Sequence, residues 1–158
     1  MLEEDYTQWL AAQLAALECH VRLPRELREQ IAKTGVIKSI HDDERRYVRM
    51  RLFAKALLII PGQSLPALPR PYRVYSVYTR DFSIGSVCFY HTEQLYPGER
   101  HYLCIPAGKI HCTVRRCTRL KEACFEVGST FNEVDEDPPW KERLKEMLKE
   151  CARATAAC

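Results

Sequence analysis

Two short clusters carry the side chains best suited to chemistry. Glu44-Arg45-Arg46-Tyr47-Val48-Arg49 stands just ahead of the first strand-like run, and Asp81-Phe82-Ser83 follows further along the chain. Arg45 and Arg49, spaced i and i+4, are planar donor forks that match phosphate oxygens or the O6/N7 edge of guanine bidentately. Asp81 and Ser83 supply the complement: a carboxylate that accepts from guanine N–H groups, and a hydroxyl that donates or accepts. Together they describe a site for a small anionic purine nucleotide. Alone, Arg-x-x-x-Arg reads first as a solvated basic segment.

A longer pattern places these clusters in a frame. Arg45-x-x-x-Arg49, Asp81-x-Ser83 and the run Ile105-Pro106-Ala107-Gly108-Lys109…Val114-Arg115-Arg116-Cys117…Cys124-Phe125-Glu126-Val127-Gly128…Phe131 resemble a PilZ domain over residues 41 to 132. The resemblance implies a six-stranded antiparallel β-barrel and, for many members, a receptor for the bacterial messenger cyclic di-GMP. It implies that Arg45 and Arg49 grip phosphate and guanine with Arg46 as auxiliary. Asp81 and Ser83 would contact guanine and ligand oxygens from the barrel face. The family pattern is Asp/Asn-x-Ser-x-x-Gly; here Ser86 takes the last position and Gly85 comes one place early. A glycine there would serve a left-handed φ or a close approach to the ligand, so Ser86 implies a strained turn of about 1 kcal/mol that Gly85 relieves in part.

The function implied is a non-enzymatic cyclic di-GMP receptor or adaptor in second-messenger signalling, with cyclic di-GMP as ligand and no cofactor. The alternative is a degenerate PilZ-like protein-interaction module that has lost the nucleotide. A protein partner is expected through the barrel or the flanking helices, a second copy of the chain being one option. No catalytic residue is assigned, since no nucleophile–base pair or phosphate-cradling Gly-rich loop leading into a helix occurs.

Length and charge fit that reading. The chain has 158 residues, enough for one domain with its own core, and a formal net charge of +3. So mild a charge argues against wrapping a nucleic-acid polymer and leaves room for a local basic pocket. Met1-Leu2-Glu3-Glu4-Asp5 is acidic where a signal peptide is basic, and Ala56–Ile60 is too short an aliphatic run to span a bilayer. A cytoplasmic protein without membrane insertion is expected. The eight cysteines lack a Cys-x-x-Cys pair, and Cys88, Cys104, Cys112 and Cys117 sit in apolar patterns as small hydrophobes. Cys88-x-x-His91 and His111-Cys112 come nearest to metal ligands, but neighbours on a strand face opposite ways, so no metal site is assigned.

The elements that must position these groups follow from periodicity. Leu2, Tyr6, Trp9, Leu10, Leu14 and Leu17 recur at helical spacing. A second helix is expected from Pro24, with Leu27 and Ile31 inward and Gly35 as its stop. Strands are expected over Arg51–Ile60, Tyr72–Thr79, Ile84–His91, Arg100–Ile105, Lys109–Arg119 and Ala123–Phe131, with a proline-rich loop after the first. Arg115, Arg116 and Arg119 read as a solvated basic strand end, and Glu133 to Asp137 as an acidic linker. A final helix, capped by Asp137, places Trp140, Leu144, Met147, Leu148 and Cys151 on one face. The expected organisation is an N-terminal helical extension over 1–36, the PilZ-like barrel with its arginine segment over 37–134, and a C-terminal helix over 135–158.

Overall fold

A computed structural model describes residues 3–30, 35–37, 49–132 and 138–156. Arg45, Arg46, the acidic stretch 133–137 and the Asp137 cap lie outside the described residues. The elements are α1 (Glu3–Ala16), α2 (Arg25–Gln30), β1 (Gly35–Ile37), β2 (Arg49–Arg51), β3 (Lys55–Ile60), β4 (Arg73–Phe82), β5 (Ser86–His91), β6 (Arg100–Ile105), β7 (Gly108–Lys121), β8 (Cys124–Phe131) and α3 (Pro139–Ala156).

Every strand pairing is antiparallel. Six strands close a ring in the order β4, β3, β6, β7, β8, β5 and back to β4, which makes the six-stranded barrel expected from the sequence. Closure removes free edges from the body of the sheet. The β1–β2 hairpin adds two strands outside the ring, with β2 paired to the far end of β4 through Met50↔Phe82 and Arg51↔Asp81.

Ile31 and residues 32–34, where α2 is expected to run on towards Gly35, lie outside the described residues; Gly35 itself opens β1, paired with Arg51. One expectation is corrected here. The expected strand Arg51–Ile60 is two strands, interrupted at Leu52–Ala54. Thr79 holds the break from across the sheet. Its hydroxyl donates to the Leu52 carbonyl at 2.6 Å and accepts from Ala54 N–H at 3.1 Å. A bulge between Thr79 and Asp81 makes Arg80 the extra residue of β4, and Arg80 offers its carbonyl to Leu52 N–H at 3.0 Å.

The interior holds Ala56, Leu58, Ile60, Val77, Phe82, Val87, Phe89, Leu103, Ile110, Val114 and Val127. Along β3 the alternate residues Leu57 and Ile59 face outward, yet they are buried under Tyr6, Trp9, Leu10 and Leu14 of α1. Covering both faces explains why this strand is a continuous apolar run rather than an alternating one. Tyr6 Oη anchors α1 to the Ile105 carbonyl at 2.8 Å. The chain between α1 and α2 lies on a different outer patch, where Val21 and Leu23 pack with Tyr78, Tyr90, Cys124 and Phe53.

The last helix brings Trp140, Leu144, Met147 and Leu148 onto the main core, as its periodicity predicts. It meets the barrel at the β6–β7 turn. Gly108 has φ +152°, and a Cβ there would lie 2.7 Å from Trp140 Cβ, so the glycine is what lets the helix approach. The same helix also packs against β1 and β2, the hairpin whose connection carries Arg45 and Arg46. No helix among the described residues is long and apolar enough to cross a membrane.

Candidate functional site

Strand register assembles the site. In an antiparallel pair, residues directly opposite project to the same face of the sheet. Arg51↔Asp81, Asp81↔Cys88, Cys88↔Gly128 and Gly128↔Arg116 therefore form one row across β2, β4, β5, β8 and β7 on the outer surface of the barrel. Arg49 lies two residues before Arg51 on β2 and joins the same face. Of the residues singled out in the sequence, Arg49 and Asp81 are brought together, with Arg49 Nη1 at 3.5 Å from Asp81 Oδ1. Arg49 is thus a strand residue, and the arginine segment does not simply precede the first strand.

Asp81 is the hub. Its side chain is 3% exposed, and burial raises its pKa, against the lowering effect of Arg49 and Arg80. Arg80 Nε lies 3.6 Å from Asp81 Oδ2, and its Nη1 pairs with Glu126 Oε1 at 2.7 Å. The bulge explains this pairing: alternation from Val77 and Thr79 already sends Arg80 outward, and the extra residue brings Asp81 to that same face, where strict alternation would send it inward. Arg116 also lowers the Asp81 pKa. It lies across Gly128, where a Cβ would come within 2.9 Å of its Nε. Among the described residues, Arg49, Arg51, Arg80 and Arg116 face only two carboxylates, Asp81 and Glu126. The surplus of guanidinium charge suits an anion with more than one negative charge.

Ser83 and Ser86 sit beside the row at the β4–β5 turn. Ser83 N–H donates to the Ser86 carbonyl at 2.9 Å, closing a hairpin over Ile84 and Gly85. The two hydroxyls bond each other at 2.8 Å, and Ser83 Oγ accepts Gly85 N–H at 3.2 Å. Ser86 opens β5, and neither it nor Gly85 has a positive φ; among the described non-glycine residues only Ala123 does, at 57°. The strained turn expected at Ser86 is therefore absent. The turn is closed by its backbone bond and the serine pair, so it needs no left-handed residue.

Cys88, in the row itself, has its thiol pushed up to about 12 by burial and by the Asp81 charge, so it stays protonated. Cys88 is on the outer face, whereas His91, three residues on, is fully buried against Tyr75. Likewise His111 stacks on Tyr102 while its neighbour Cys112 joins the interior. Among the described residues no three metal-ligating side chains gather.

Sequence reasoning passed over Arg51, Arg80, Arg116, Glu126 and Gly128 as members of this site. Arg116 was expected on a solvated sheet edge. Its strand is interior to the barrel as far as Thr113, and its second half leaves β6 and keeps only β8 as partner. The usable signal was Val127-Gly128, a glycine inside a strand pattern, which marks the close approach of another group. What approaches is a guanidinium.

No protein-family model matches this sequence, and no curated protein matches it. Among solved structures, the Bacillus subtilis inhibitor of motility (MotI/DgrA) is similar at a TM-score of 0.48 and 14% identity, over 78% of this chain and 64% of that one. The chain thus spans less than two thirds of that protein, and a likeness of this size bears on neither ligand nor activity.

Proposed function

We propose that this protein is a PilZ-type receptor that binds cyclic di-GMP on the outer face of its barrel and acts without catalysis. The observation that carries the reading is Arg49 set against the buried Asp81, on a face where, among the described residues, arginines outnumber carboxylates. Each phosphate of the ligand takes bidentate hydrogen bonds from the guanidiniums. The guanine N1–H and N2–H groups donate to the Asp81 carboxylate. The 3.5 Å contact of Arg49 with Asp81 is longer than a strong charge-assisted bond, so little is lost when Arg49 turns to the ligand. Arg45 and Arg46, on the connection between β1 and β2, complete the grip.

Calorimetric titration of the purified chain with cyclic di-GMP, with GTP and cyclic GMP as controls, tests the reading. Binding with a micromolar Kd or tighter, selective for the dinucleotide, is expected. Arg49→Ala should cost about 2–4 kcal/mol of binding, because a bidentate charge-assisted pair is lost. Folding stability should change little, since Arg80 still faces Asp81 at 3.6 Å. A titration without heat at high protein concentration moves the protein to the second reading, an interaction module that works through its helices.

A further inference from the structure

The serine pair continues into a second row, parallel to the first. Ser86 is opposite Thr130, and Thr130 is opposite Thr113. Arg115, the extra residue of a bulge between Val114 and Arg116, donates its Nε to Thr130 Oγ1 at 2.9 Å. Ser86 and Cys88 alternate on β5, as do Gly128 and Thr130 on β8, so this row shares the face of Asp81. Resting on the cyclic di-GMP reading, we infer that Ser83, Ser86, Thr130 and Arg115 form the seat of one phosphodiester group of the ligand.

The chemistry of the row selects an anion. Ser83 Oγ already accepts Gly85 N–H, and each hydroxyl has a single proton. If Ser86 donates to Ser83, the Ser83 proton is left over; if Ser83 donates, the Ser86 proton is. One O–H donor of the pair therefore remains free in either arrangement. Thr130 accepts from Arg115 and keeps its own proton. Arg115 is exposed and makes no ion pair among the described residues, so its terminal nitrogens are available. A guanidinium held by a threonine hydroxyl, beside two free O–H donors, one from the serine pair and one from Thr130 itself, and with no carboxylate paired to it among the described residues, matches the acceptor oxygens of a phosphate. Ser86, where the family pattern has glycine, is on this account a ligand contact and not a defect.

The test measures cyclic di-GMP affinity for the wild type, Ser86→Ala, Arg115→Ala and the double variant. Melting temperature and competition by inorganic phosphate are followed in parallel. Each single change should weaken binding about tenfold, since a hydrogen bond to a charged group is lost. The double variant should lose less than the product of the two, because both contacts serve one anion. Melting temperatures should stay level. Inorganic phosphate should compete with the dinucleotide in the wild type and lose that competition in the double variant. Wild-type affinity in both single variants, or phosphate that competes equally in the double variant, overturns the phosphate seat and leaves the receptor reading standing. A wild type that fails to bind cyclic di-GMP removes the receptor reading, and the seat with it.

Discussion

Two histidines inside the barrel should make this protein acid-labile, and the size of the effect follows from their burial. His91 is 1% exposed and neither ring nitrogen has a hydrogen-bond partner; His101 is 0% exposed and its Nε2 meets Ser129 Oγ at 2.8 Å. Burial lowers the pKa of each from 6.5 to about 3. For His91 the charges of His101, Arg70 and Arg73 push the same way. For His101 the Tyr102 backbone opposes and His111 assists. The remaining contacts are apolar edges: Tyr75 lies 4.6 Å from the His91 ring and Phe89 5.3 Å from the His101 ring. A base whose folded pKa is depressed is protonated more readily in the unfolded chain. Its contribution is therefore intact above pH 6.5 and is lost as pH falls towards 3. At pH 5 the linkage is worth about 2 kcal/mol per histidine, or about 4 kcal/mol together. That is a large part of the roughly 5–15 kcal/mol that holds a domain folded. Urea unfolding followed by circular dichroism at pH 7 and pH 5 measures the loss. His91→Leu should be near neutral at pH 7, because two unpartnered ring nitrogens disappear, and should roughly halve the acid loss. A His91→Leu chain that loses as much stability between pH 7 and pH 5 as the wild type would refute the reasoning. Other titrating groups cancel in that comparison.

Two further outcomes are expected of the scaffold. Arg70→Ala should cost about 3–5 kcal/mol in urea unfolding, because it strips a bidentate partner, at 2.8 and 3.1 Å, from the Glu99 carboxylate, which is only 3% exposed. A cost below about 1 kcal/mol would mean that the pair behaves as a solvated one. Gly108→Ala should cost about 2–4 kcal/mol, through a disfavoured φ of +152° and a Cβ 2.7 Å from Trp140 Cβ. Tryptophan fluorescence should shift as α3 is displaced, and an unchanged spectrum with unchanged stability would contradict the docking of that helix.

The elements were legible in the sequence because each carries its own period. Tyr6, Trp9, Leu10 and Leu14 repeat at helical spacing, and they cover Leu57 and Ile59. Trp140, Leu144, Met147 and Leu148 do the same on α3. Short β-runs without room for crossovers require antiparallel pairing, and a closed barrel removes the edges of such a sheet. Arg49 and Asp81 could be named as members of one site from residue type and pattern. Their spacing could not, because it depends on β2 joining β4 beyond the point where β3 leaves it.

Register and bulges were decided only in the tertiary structure. A one-residue insertion in a ladder moves a side chain from one face to the other, and no local preference marks where it falls. That is why Asp81 faces outward beside Arg80, and why Arg116 faces outward beside Arg115. It is also why Arg116 lies over Gly128, twelve residues away along the chain. Ser86 makes the same point in reverse. Its residue type suggested strain, but conformation is set by the hairpin around it, where a carbonyl and a hydroxyl both bond Ser83. Residue chemistry and periodicity reach as far as the next turn of chain; which side chains share a face is fixed by hydrogen bonds between strands distant in sequence.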